Sequence, residues 1–234
     1  MLKSLSLLIT FAFCSAAQSF TIRTSGVAGD AHVYYYLTGS FGGYGSPVRE
    51  ADSDGAYRIP LRPEHLDTPT LDIAQTLKAI VWSSGCQFQL ISVDLVADFH
   101  RDALYECHPL PTITLSGAIS PPLTAAGPLD VEVRYMAFWD HGFFGIGDGP
   151  VADFPVAKAP LESGRFEIRI PDFSKDPVTT EQQLAALQLR VIEHKSWNSV
   201  ATLTPPVGLR DPNTNQMKIV PRYDSGIIFG VGPR

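Results

Sequence analysis

Phe41-Gly42-Gly43-Tyr44-Gly45-Ser46-Pro47-Val48 returns, 103 positions on (41 to 144), as Phe144-Gly145-Ile146-Gly147-Asp148-Gly149-Pro150-Val151. Both stretches read F-G-x-x-x-x-P-V. Further matched segments lie on either side. Upstream, Ser25-Gly26 meets Ser116-Gly117. Downstream, Ser53-Asp54-Gly55-Ala56-Tyr57-Arg58-Ile59-Pro60 faces Glu162-Ser163-Gly164-Arg165-Phe166-Glu167-Ile168-Arg169-Ile170-Pro171, and Ile80-Val81 meets Val191-Ile192. The spacing between partners grows steadily along the chain, as it does when a domain is duplicated and its loops then gain insertions. The repeat predicts an all-β chain of two tandem β-sandwiches, one over 18–108 and the other over 109–234.

The hydrophobic pattern supports strands. Phe166, Ile168 and Ile170 alternate with Arg165, Glu167 and Arg169, and a slip of one residue there would bury three charges. Val131, Val133 and Tyr135 alternate with Glu132 and Arg134, and Val33, Tyr35 and Leu37 with His32, Tyr34 and Tyr36. The 19 glycines and 19 prolines are spread between these runs, as the many turns of a β protein require. Helix signals are few. Asp176-Pro177 before Glu181-Gln182-Gln183 places an N-cap and a first-turn proline at the head of a short helix, with Pro63 to Gln75 in the matching place of the first copy. His108-Pro109-Leu110-Pro111 reads as a stiff extended joint between the domains.

Residues 1–17 have the build of a signal peptide. Lys3 supplies the positive end, Leu5 to Phe13 an apolar stretch, and Ser15-Ala16-Ala17 the small residues of a cleavage site. That stretch is shorter than the roughly 20 apolar residues of a membrane span, so the expected protein is secreted or periplasmic, with no membrane span. Its formal net charge of −6 argues against nucleic acid, which demands a basic stripe. Beyond the leader two cysteines remain, Cys86 and Cys107, and an even pair in an oxidising compartment reads as one disulfide.

The turn-strand units Asp52-Ser53-Asp54-Gly55-Ala56-Tyr57-Arg58-Ile59 and Ser163-Gly164-Arg165-Phe166-Glu167-Ile168 resemble those of the carboxypeptidase regulatory-like and transthyretin-like sandwich group. The resemblance implies a Greek-key fold of seven strands per copy, Ig-like or prealbumin-like, and an accessory or binding role. Enzymatic transthyretin relatives end in a Tyr-Arg-Gly-Ser tetrapeptide. This sequence has Phe229-Gly230-Val231-Gly232-Pro233-Arg234 there, so no catalytic residue is carried over.

Sites with chemistry are sparse. Asp52 and Asp54 open like a calcium loop, but the twelfth position is Pro63, where an EF-hand needs a glutamate. No nucleophile elbow and no zinc spacing occurs, and no metal or cofactor is expected. The repeated glycine-aromatic segments have the best claim to function. Phe41 and Tyr44 in the first, and Trp139, Asp140, Phe143 and Phe144 in the second, are the candidate ligand-binding residues. Glycine lets backbone approach a partner closely, and rings on such loops serve as platforms. The alternative is that they fold back to plug each sandwich or bury the contact between copies. The sequence thus favours a non-catalytic binding or surface-interaction protein, its partner a carbohydrate or an envelope or extracellular protein. A hydrolase with a site between the domains and a purely structural envelope protein are the other readings.

Overall fold

The computed structural model describes residues 19–39, 42–48, 50–61, 75–98, 100–125, 127–137, 152–182, 185–211 and 215–232, without the side chains of 39, 42–48, 181 and 182. The first half contributes β1 (Ser19–Ser25), β2 (Ala31–Gly39), β3 (Gly42–Val48), β4 (Tyr57–Pro60), β5 (Thr76–Ser83), β6 (Gln89–Asp94) and β7 (Asp102–Glu106). These form two sheets, β4-β1-β7 and β3-β2-β5-β6. Alternation decides what lies between them. Phe20, Ile22, Tyr57, Ile59 and Tyr105 from one sheet meet Val33, Leu37, Leu77, Val81 and Ile91 from the other.

The second half contributes β8 (Thr112–Ser120), β9 (Leu129–Ala137), β10 (Ala152–Pro160), β11 (Arg165–Pro171), β12 (Ala185–Glu193), β13 (Ser199–Thr204), β14 (Met217–Lys218) and β15 (Ile227–Val231), with a short helix α1 (Pro177–Gln182). Its strand order is β10-β9-β12-β13-β15-β8-β11, with β14 on β12. The orders of the first half recur within it as β11-β8-β15 and β10-β9-β12-β13. The parallel pair β1–β7 also has its counterpart in β8–β15. One pairing differs. β13 bonds β15 through Leu203–Val231 and Thr204–Gly230, so the expected two sheets are here one sheet. Its end strands β10 and β11 meet at the Glu162–Arg165 turn, which nearly closes it into a barrel. A Cβ on Gly232 would lie 3.2 Å from the Thr202 carbonyl, to which the Gly232 N–H donates.

Register refines the repeat. Ile22 lies opposite Tyr57, and Gly117 opposite Phe166. Thr24 flanks Tyr105 as Ile119 flanks Phe229. Gly117 thus stands where the first half has Ile22, and a Cβ there would come within 2.6 Å of the Phe229 ring. Three sequence matches are corrected. Ser25 ends β1, whereas Ser116 and Gly117 lie inside β8, which ends at Ser120. Val81 and Val191 both face the core of their own half while Ile80 points away from its own, so the Ile80-Val81 match to Val191-Ile192 is slipped by one. Gly42–Val48 is a strand rather than a loop. By pairing its counterpart is β10, since Val48 lies opposite Val33 as Ala159 lies opposite Val131, so the match of Val48 to Val151 is not the register match. Asp176 caps α1 as expected, its Oδ2 accepting from the Thr179 N–H at 2.6 Å. Among the described residues no helix is long and apolar enough to cross a membrane.

Candidate functional site

The two halves present matching sheet faces of opposite chemistry. On the first, the outward side chains of β2 and β5 are paired as His32 with Trp82 and Tyr34 with Ile80. They pack on the second half. Ile80, Trp82 and Phe88 belong to its hydrophobic core. Phe88 stacks on Tyr135 with centroids 4.3 Å apart and also meets Phe154 and Phe173. Tyr34 Oη donates to the Asp153 carbonyl at 2.7 Å, and the Phe88 N–H to Asp176 Oδ1 at 2.8 Å. The turn carrying Phe88 is held from behind. Cys86 and Cys107 are joined at disulfide geometry, Cα–Cα 5.2 Å, and the Gln87 N–H and Leu110 N–H donate to His108 and Gly85 carbonyls. His32 stacks on Trp82 within this contact. Burial lowers its pKa, Asp30 raises it and Arg134 lowers it further.

On the second half the same positions read Asp130 with Ile192 and Glu132 with Arg190. Both carboxylates are only 3% exposed, because cations lie over them. Arg190 Nε donates to Glu132, Arg134 Nη1 approaches it at 3.4 Å, and Arg134 Nε donates to Asp153 at 2.6 Å. Asp130 is flanked by His194 Nδ1 at 2.9 Å and Lys158 Nζ at 3.7 Å. Lys158 in turn sits 3.8 Å from the centre of the Trp197 ring. Trp197 occupies the β12–β13 turn, the counterpart of the turn that carries Phe88. Its backbone is left-handed, φ 60°, fixed by its N–H donating to the Glu193 carbonyl at 3.1 Å, and the residue is 56% exposed. A bulky residue in that region of φ is uncommon.

Of the residues singled out from sequence, Phe41, Trp139, Asp140, Phe143 and Phe144 lie outside the described residues. Tyr44 is placed by backbone alone, opposite Leu37 in β3. Asp52 and Asp54 turn their carboxylates to Arg58, which donates to both. Among the described residues no group of three or more His, Cys, Asp and Glu side chains is placed to hold a metal ion. Sequence reasoning missed Trp197, Lys158 and the buried Asp130. The available signal was an aromatic residue in a polar turn just after His194. No family model matches the chain, and no curated protein matches it.

Proposed function

We propose that this is an exported, non-catalytic recognition protein made of two diverged copies of one Greek-key sandwich. The first copy docks rigidly on the second, and the pair presents aromatic residues to a carbohydrate or an extracellular protein. The observation that carries this reading is Trp197, a large ring kept at the surface on a left-handed turn although the matching turn buries its aromatic residue. A bulky residue held in the left-handed region supports a functional role for this turn. By sequence, the glycine-aromatic segments add the rings of Phe41, Tyr44, Trp139, Phe143 and Phe144, with Asp140 beside them as a hydrogen-bonding carboxylate. A glycan and extracellular-protein binding screen tests the proposal. Binding that Trp197→Ala abolishes supports it, and no ligand in either class sinks it.

The Asp130–His194 pair favours a second reading, a hydrolase, since a buried carboxylate on Nδ1 orients a general base. Ser196, two residues on, donates to Glu193 instead. Ester or glycoside hydrolysis lost in His194→Ala would establish this alternative.

A further inference from the structure

We infer that the Trp197 turn, with Lys158 and His194, forms a binding site for a carboxylate-bearing saccharide. This rests on the recognition reading above and names its ligand class. Three observations converge.

The first is what the face excludes. The equivalent face of the first half is aromatic and takes up a whole sandwich. Here it is ion-paired from Asp130 through Glu132 to Arg134. A further sandwich docked on it would bury these charges, which is costly. Repeat arrays end in such polar outer faces. The exposed ring therefore serves a ligand smaller than a domain.

The second is the vertical order of charge. The carboxylate of Asp130 is the floor, with its side chain 4% exposed, whereas Lys158 and His194 above it are 37% and 54% exposed. A ligand meets the Lys158 ammonium and the His194 imidazole before the Asp130 carboxylate beneath them. Asp130 fixes the imidazole through Nδ1, which leaves Nε2 for the ligand. Glu193, the acid beginning the same turn, is engaged by Ser196 Oγ, and Lys195 adds a further cation to the exposed rim.

The third is the juxtaposition of ring and ammonium. Lys158 Nζ lies 3.8 Å from the Trp197 centroid. The ammonium covers one face of the indole; an apolar sugar face laid there would displace this flexible side chain to the ring edge, where it would meet a ring carboxylate in a charge-assisted contact.

Titration calorimetry of the purified protein against hexagalacturonate, sialyllactose and neutral maltohexaose tests this. Binding of either acidic probe about tenfold or more tighter than maltohexaose is expected, with loss of about tenfold or more in Trp197→Ala, the size of a hot-spot residue. Lys158→Gln should weaken the acidic probe several-fold, leave maltohexaose unchanged and flatten the salt dependence. The two acidic arms separate uronate from sialate ligands. Equal binding of maltohexaose through Trp197 overturns the ligand class and leaves the recognition reading standing. Acidic-probe binding untouched by Trp197→Ala overturns the site. No binding of any saccharide overturns the inference, and if no protein binds either, the recognition reading falls with it. Should Trp197→Ala fail to fold, Lys158→Gln and the salt series on the unaltered protein decide.

Discussion

The outward faces of β2–β5 and β9–β12 share a backbone register and differ in almost every side chain. Where the first has His32, Tyr34, Ile80 and Trp82, the second has Asp130, Glu132, Arg190 and Ile192. One face holds a neighbour by ring stacking, and the other satisfies itself with ion pairs. A strand pairing therefore fixes which residues share a face but not what that face does. The chemistry of the outward positions decides which face packs on the other half and which is covered by its own ion pairs. The cores show the same freedom at smaller scale. Ile22 and Tyr105 in one half become Gly117 and Phe229 in the other, with the ring filling the space that the glycine vacates.

The largest effect should come from breaking the aromatic face. Trp82 is buried, stacks on Phe88 and donates through Nε1 to the Cys86 carbonyl at 3.0 Å. Trp82→Ala is expected to destabilise the protein by about 3–5 kcal/mol in urea unfolding. A loss below about 1 kcal/mol would show that the two halves do not depend on this contact. Next comes the cross-link behind it. Cys86→Ser with Cys107→Ser frees a loop of 21 residues and should remove about 3 kcal/mol in the chain-entropy model. Because the cysteines hold the Phe88 turn, the same variant should raise proteolytic nicking at the joint near His108. The ion-paired face gives the third test. Glu132→Leu alone leaves Arg190 and Arg134 without their buried partner and should lower stability by about 2 kcal/mol, discounted because both guanidinium groups reach solvent. Glu132→Leu with Arg190→Leu should recover most of that loss. If the double variant is as unstable as the single one, the face is more than a self-compensating cap.

Local features were legible in the sequence and relations between elements were not. The alternation in β11 placed Phe166, Ile168 and Ile170 inward without ambiguity, and Asp176-Pro177 marked the start of α1. The repeat was visible, yet its register was misjudged where parity carried no signal. Ile80 and Val81 are both buried because Ile80 faces the other half, so an apolar pair hid which residue pointed inward. Glu132 alternates like a solvated strand residue, yet it is buried with the Arg134 and Arg190 guanidinium groups against it. Trp197 looked like one more turn residue. Its meaning emerges only when the turn is set beside the one that carries Phe88, and that needs the register of both hairpins.

The smallest effect, and the most specific to the docked face, concerns pH. His32 lies between the halves, stacked on Trp82 at 5.6 Å and edge-on to Phe154. Burial lowers its pKa from 6.5; Asp30 partly opposes this and Arg134 adds to it. A folded-state value below the unfolded one means that the unfolded chain binds the proton more readily. The contribution of His32 is thus fully present above about 6.5 and is lost as pH falls from there through the folded value. Unfolding free energy should rise with pH across that window, and His32→Gln should flatten the slope while Asp130, Glu132 and the second face are untouched. His194, which sits against a carboxylate rather than among rings, serves as the internal contrast. His194→Gln should leave the slope due to His32 in place. If instead His194→Gln removes it and His32→Gln does not, the acid-sensitive element is the ion-paired face, and the division of labour between the two faces drawn above is wrong.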